Sequence, residues 1–421
     1  MDKIVIEGGC RLKGSLRVSG AKNAVLPILA ACLLTDEQSV IENVPAVVDT
    51  YTMLKILKAL SVKVDFDGDT VVVKPGNYKR YTAPYRLVST MRASICVLGP
   101  LLARLGKACV SMPGGCVIGP RPIDLHLKGL SALGAKIKIE HGYVNAEAKK
   151  LKGNTVYLGG AFGSSVLATA NVMMAATLAK GKTIIENAAC EPEVVDLGNF
   201  LIKMGADIKG LGSNIIEIEG VASLGGARHR VMFDRIEAGT YMVAAAITGG
   251  EILLKETCLY QMGAVIDKLR EAGVYIKKEE DGIYVKGSMR RPVALEITTL
   301  PFPGFPTDLQ AQFAAFLSLG KGISIVREKI YPKRFMHISE LNRMGARIKL
   351  EGDSAIIEGI DALSGASVMA SDLRASAALV LAGLVAKGKT EINRIYHLER
   401  GYENIEEKLL KLGAKIWREK V

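Results

Sequence analysis

The chain has 421 residues, 49% hydrophobic but only 5% aromatic, and a formal charge of +12. Such a length predicts two or three domains whose cores are filled by Ala, Val, Ile and Leu, and the longest apolar stretches, 24–34 and 375–386, are too short to cross a bilayer. The charge asks for an anionic partner; Lys and Arg are scattered and stacking aromatics are few, so small anions are favoured over nucleic acid.

Residues 3–7 alternate like a strand and carry no leader-type hydrophobic block, which points to a soluble, cytoplasmic protein with no membrane partner. Beyond them the chain repeats itself. One phrase, an apolar helix end, a glycine or its stand-in, then an alternating strand, recurs six times, with its fifth residue at Ser61, Gly134, Gly205, Gly273, Gly345 and Gly413. The period is about 70 residues. Between the copies lies a second phrase: an Ala-rich helix, a Gly-Lys stop and a β-branched strand, as at 168–185 and 375–392. Each unit therefore predicts two helices and about four strands. The Ala-rich helices are apolar nearly all round, so three units per domain would pack them centrally with sheets outside. The strand at 3–7 is left over and is expected to close the second domain.

After the first of the six units lies Pro113-Gly114-Gly115-Cys116-Val117-Ile118-Gly119-Pro120-Arg121-Pro122. Glycines on both sides free the backbone, and the nearby Arg121 favours thiolate over thiol at Cys116. Taken alone, the segment is equally well a surface turn with an incidental cysteine. The seven cysteines are odd in number and none is spaced CxxC, against both a disulfide framework and a zinc cluster. Cys32, Cys96 and Cys109 sit among apolar residues, and only Cys116 is flanked by glycine and proline.

The six units and the cysteine segment resemble the enolpyruvyl transferase family. The likeness runs through Ser19-Gly20-Ala21-Lys22-Asn23-Ala24, Met91-Arg92-Ala93-Ser94, Arg121-Pro122-Ile123-Asp124-Leu125-His126 and Glu191-Pro192-Glu193. It continues through residues 305–312, Arg334-Phe335-Met336-His337, Asp372-Leu373-Arg374-Ala375-Ser376 and Arg400-Gly401-Tyr402-Glu403. The resemblance implies an α/β fold, a two-domain inside-out α/β barrel of six repeats, three per domain. Its domains would be 21–232, and 1–20 plus 233–421, joined by a double-crossing hinge. The branch of the family that acts on shikimate phosphate lacks the cysteine loop, so Cys116 separates the two.

The implied reaction moves the enolpyruvyl group of phosphoenolpyruvate to the 3′-hydroxyl of UDP-N-acetylglucosamine and releases phosphate, the first committed step of bacterial peptidoglycan synthesis. Addition followed by elimination needs an acid and a base. By resemblance Cys116 is the acid-side and covalent residue, and Asp308 is the base, with Lys22 and Arg400 also catalytic. Lys22, Arg92, Arg121, Arg374, Arg400 and Cys116 would hold phosphoenolpyruvate, whose carboxylate and phosphate suit arginine forks and a lysine point charge. Asn23, Arg92, Arg121, Pro122, Ile123, Asp124, Leu125, Ser165, Val166, Asp308 and Ile330 would hold the nucleotide sugar, with Ser165 at a helix start where phosphate binds readily. Without the resemblance, Asp308 reads as an N-cap before Leu309-Gln310-Ala311, and Ser164-Ser165 as a plain cap. Neither a metal nor another cofactor is called for, and the protein is expected to be a monomer. Four departures from the family pattern, Leu167, Cys190, Phe302 and Pro332-Lys333, leave open a divergent non-catalytic UDP-sugar-binding paralogue. A 3-phosphoshikimate-type transferase is the other alternative.

Overall fold

The six repeat glycine positions share one backbone reason. Gly134, Gly205, Gly273, Gly345 and Gly413 all follow a helix with φ between 92° and 105°, and Ser61 holds the equivalent place at φ 69°. A left-handed residue there ends the helix and turns the chain at once into a strand. The computed structural model describes residues 2–114, 122–161 and 163–420.

Each repeat runs central helix, strand, outer helix, then two antiparallel strands. In the first, the helices are Lys22–Ala31 and Val48–Ala59, with strands Ser39–Glu42, Lys63–Asp67 and Thr70–Lys74. A fourth strand joins the outer edge of each sheet in parallel, from the connection that precedes the repeat: Thr82–Ala83 beside Lys107–Ser111, and Thr155–Tyr157 beside Lys182–Glu186. The first repeat takes its edge from the far end, Arg228–Arg230 pairing with Ser39–Glu42, so residues 20–232 close as a cycle of three. The second cycle closes through the N-terminus. Lys13–Arg17 edges Glu251–Lys255, and Asp2–Glu7 lies antiparallel between Lys389–Asn393 and Lys415–Lys420, completing the last sheet. The expected two helices and four strands per repeat are thus present, as is the expected placement of the first strand.

Contacts divide the described residues into 2–19 with 233–420, and 20–114 with 122–232. Each unit has its own core. The central helices are Lys22–Ala31, Leu98–Leu105 and Val166–Ala176 in one, and Arg235–Thr248, Gln310–Leu317 and Leu373–Gly383 in the other. From Ala168 to Ala176, and from Arg374 to Gly383, every residue is buried. A helix with no polar face is stable only when wrapped on all sides, which the three-sheet surround provides. No helix among the described residues is long and apolar enough to cross a membrane.

Candidate active site

In the unit that includes 233–420, the turn Thr307–Leu309 leads into the helix Gln310–Leu317. Phe305 is packed edge-on against Phe313 at 4.8 Å, a geometry worth about 0.5–1.5 kcal/mol beyond burial. Leu309 nests against Gly239, where any Cβ would fall 2.4 Å from its Cδ1. Gln312 Nε2 donates to the Asp308 carbonyl at 3.0 Å. Side chain and backbone are therefore both pinned where Asp308 stands.

The Asp308 carboxylate caps no helix. Its Oδ1 accepts from Arg334 Nη1 at 2.7 Å and its Oδ2 from Arg374 Nη2 at 2.9 Å, which corrects the N-cap reading. Burial by itself would raise the carboxyl, but the charges and hydrogen bonds of Arg374 and Arg334 overcome it and hold it well below the usual carboxylate range. Arg374 is the second residue of Leu373–Gly383, a helix capped by Asp372, which accepts from the amides of Arg374 and Ala375. Only 2% exposed, Arg374 lies 5.4 Å over the Tyr402 ring, yet its Nε and Nη1 have no hydrogen-bond partner among the described residues. Burial disfavours its charge, and the Asp308 carboxylate more than restores it.

Arg334 is held in turn. Its Nη1 also donates to Thr307 Oγ1 at 3.0 Å, and Thr307 donates to Glu328 Oε2 at 2.8 Å. The fully buried Glu328 collects three further hydrogen bonds on Oε1, from Thr299 Oγ1 and the amides of Ile330 and Tyr331. Ile330 is thus fixed through its own N–H. Arg400 is half-buried at the end of the turn Ile395–Arg400, which packs on Leu373–Gly383.

The other unit carries the remaining described candidates. Lys22 opens the helix Lys22–Ala31, is 8% exposed, and meets Asp49 Oδ2 at 3.3 Å. Asn23 is half-buried beside it. Arg92 opens the turn Arg92–Val97 and donates from Nη2 to the Pro122 carbonyl at 2.9 Å, tying down the start of the 122–125 segment. Ile123 is buried, Pro122 and Asp124 exposed, and Leu125 would lie 3.3 Å from a Cβ placed on Gly160. Ser165 does cap Val166–Ala176, accepting from the Ala168 amide at 3.4 Å, and Val166 is half-buried. Beneath these, Asn171 Nδ2 donates to the Ile95 carbonyl and to His126 Nδ1 at 3.1 Å, while its Oδ1 accepts from the Gly99 amide at 2.6 Å. Burial and then Arg92 push His126 down from 6.5 to about 3, so the ring stays neutral.

Cys116 and Arg121 lie outside the described residues. Of the other thiols, Cys32 and Cys96 are pushed up to about 12 by burial, and Cys190 is raised by burial and by Glu191. Two of the departures from the family pattern have visible partners. Phe302 offers its ring to Arg235 at 5.6 Å, and Pro332-Lys333 form a turn closed by the Arg334 amide on the Tyr331 carbonyl. Arg334, Glu328 and Asp49 were not among the predicted site residues. Arg334 and Tyr402 stood in the quoted motifs, but nothing local in the sequence marks Glu328 or Asp49 as partners.

Comparison with known proteins agrees with this fold. The family model for EPSP synthase (3-phosphoshikimate 1-carboxyvinyltransferase) matches residues 6–409. UDP-N-acetylglucosamine 1-carboxyvinyltransferase 1 of Caldanaerobacter subterraneus subsp. tengcongensis is 55% identical over 416 residues, 99% of each chain. The UDP-N-acetylglucosamine 1-carboxyvinyltransferase of Myxococcus xanthus is 54% identical over all of both chains. Among solved structures, the enolpyruvyl transferase NikO from Streptomyces tendae superposes with a TM-score of 0.90 at 25% identity, covering 100% of this chain and 99% of that one. EPSP synthase from Acinetobacter baumannii, at 19% identity and a TM-score of 0.76 over both whole chains, shares the fold.

Proposed function

This chain belongs to the enolpyruvyl transferase family, on the branch of the UDP-N-acetylglucosamine 1-carboxyvinyltransferases, and from that premise we propose how its residues divide the work of transferring enolpyruvate from phosphoenolpyruvate to UDP-N-acetylglucosamine. The observation that carries the division is the buried cluster of Asp308 and Arg374. It sets the proposed base beside a guanidinium whose Nε and Nη1 have no hydrogen-bond acceptor among the described residues.

In the addition, the 3′-hydroxyl gives its proton to Asp308 and its oxygen bonds to C2 of the enolpyruvyl group, while the displaced π pair takes a proton at the methylene from the Cys116 thiol. Elimination then removes a proton from that methyl carbon and expels phosphate from C2, restoring the double bond. Lys22, Arg92, Arg121, Arg374 and Arg400 would bind the carboxylate and phosphate by charge-assisted hydrogen bonds. Asn23, residues 122–125, Ser165, Val166 and Ile330 would hold the nucleotide sugar. Cys116 and Arg121 enter this account on the resemblance alone. The same reading has the enzyme act in the cytoplasm as a monomer, without nucleic acid, membrane or cofactor.

Purified protein is expected to release phosphate only when both phosphoenolpyruvate and UDP-N-acetylglucosamine are present. Release with shikimate 3-phosphate in place of the sugar nucleotide would select the sister reaction. Binding of the sugar nucleotide with no release would mark a non-catalytic paralogue.

A further inference from the structure

Asp308 is the base of the reading above, yet in this structure two guanidiniums hold it, and a carboxylate so paired is a poor proton acceptor. Something must loosen that grip, and the two cations are not equivalent. Arg334 is built into a chain of fixed partners, Thr307 and then Glu328, whose four hydrogen bonds come from Thr299, Thr307, Ile330 and Tyr331. Arg374 gives one nitrogen to Asp308 and keeps two buried and without a hydrogen-bond partner among the described residues, with its face on Tyr402. Tyr402 is itself fixed by hydroxyl contacts to Thr240 and Gln312. Further charged or titratable neighbours among the described residues are Asp372, at the cap of the Arg374 helix, Asp234, which acts on Arg374 through space, and His337, which feels Asp372 and Arg334.

We propose that Arg374 is a relay between the two substrates: an anion taken on its open Nε and Nη1 draws its charge away from Asp308, and only then does Asp308, still aimed by Arg334, become able to take the hydroxyl proton. The base would thus be switched on by the arrival of the phosphoenolpyruvate anion. No bond is made or broken in this step; one proton then passes from the sugar hydroxyl to Asp308 as the carbon–oxygen bond forms. The coupling is reciprocal, so the charge on Asp308 must also weaken the anion's binding.

The relay rests on the transferase reading, and two measurements separate them. In the full chain labelled with [γ-13C]aspartate and saturated with UDP-N-acetylglucosamine, the Asp308 carboxyl, identified by its loss in Asp308→Asn, is titrated with and without the unreactive saturated analogue 2-phospholactate. Its midpoint should rise when the analogue is bound, and the rise should vanish in Arg374→Lys. An unmoved midpoint in the native chain, or an undiminished rise in Arg374→Lys, overturns the relay. By reciprocity, Asp308→Asn should bind 2-phospholactate about tenfold tighter than the native chain, a gain absent in the Arg374→Lys background. Equal or weaker binding by Asp308→Asn also overturns it. Phosphate release from both true substrates is measured on the native sample. Turnover with an unmoved Asp308 sinks the relay alone, whereas no turnover sinks the transferase reading and the relay with it.

Discussion

The two three-repeat units share one architecture and treat the same awkward choice differently. Each sets a cation in the first turn of a central helix, Lys22 in one and Arg374 in the other, where the helix dipole is already positive. In the first unit the cation meets an acid, Asp49, at 3.3 Å. In the second, one acid, Asp308, is divided between two arginines, and Arg374 retains donors with no acceptor among the described residues. Burying a second cation is costly unless an anion arrives to complete the set. The difference lies in how each buried cation is neutralised: by one acid for Lys22, and by a shared acid for Arg374.

Removing the acid of the second unit should break the comparison most severely. Asp308→Asn is expected to lower kcat by about 10²–10⁴ with the fold retained, checked by phosphate release and circular dichroism. Cys116→Ser should lose turnover near neutral pH, and the epoxide fosfomycin should label Cys116 in peptide mass spectrometry. Label spread instead over Cys10, Cys190 and Cys258, which are exposed or half-buried, would contradict an activated Cys116. Arg374→Met should lower unfolding stability by about 3–5 kcal/mol in denaturant titration, since it strands Asp308 with half its partners. Glu328→Gln, which keeps the shape but weakens four hydrogen bonds, should lose about 1–3 kcal/mol by the same measurement.

The smallest effect compares a histidine from each unit. His126 is pushed from 6.5 to about 3 by burial and Arg92, and His337 to about 4 by burial and Arg334 against the opposing pull of Asp372. Both bind fewer protons folded than unfolded below pH 6.5, so stability should fall as pH drops from about 6.5 towards 4. His126→Gln and His337→Gln should each flatten that slope in thermal unfolding scans run across the interval. Equal slopes in variant and native chain would mean the histidines do not carry it.

Much of the fold was legible because it is written locally and six times over. The residue that ends each outer helix must take a left-handed φ, so glycine recurs there, and Ser61 meets the same demand without losing the pattern. The closing role of the first strand could be inferred from an unpaired remainder. The site was legible only in part. Asp308 looks like a cap because its neighbours in sequence start a helix; its actual partners, Arg334 and Arg374, lie 26 and 66 residues away. Glu328 is more opaque still, since its hydrogen bonds draw together Thr299, Thr307 and its own following turn, a convergence that no single stretch of sequence announces.

The strand Asp2–Glu7 lies between two partners from the other end of the chain. On the ribosome it emerges before everything else in its sheet and then stands idle until Lys389–Asn393 and Lys415–Lys420 have been made. At roughly 5–20 residues per second, that is a wait of about 20–80 s. During it, residues 20–232 can close their own cycle, because Arg228–Arg230 completes their last edge. Synthesis can therefore finish the first-closed cycle while the other sheet waits for Lys415–Lys420, with an unpaired β-strand in need of shielding meanwhile.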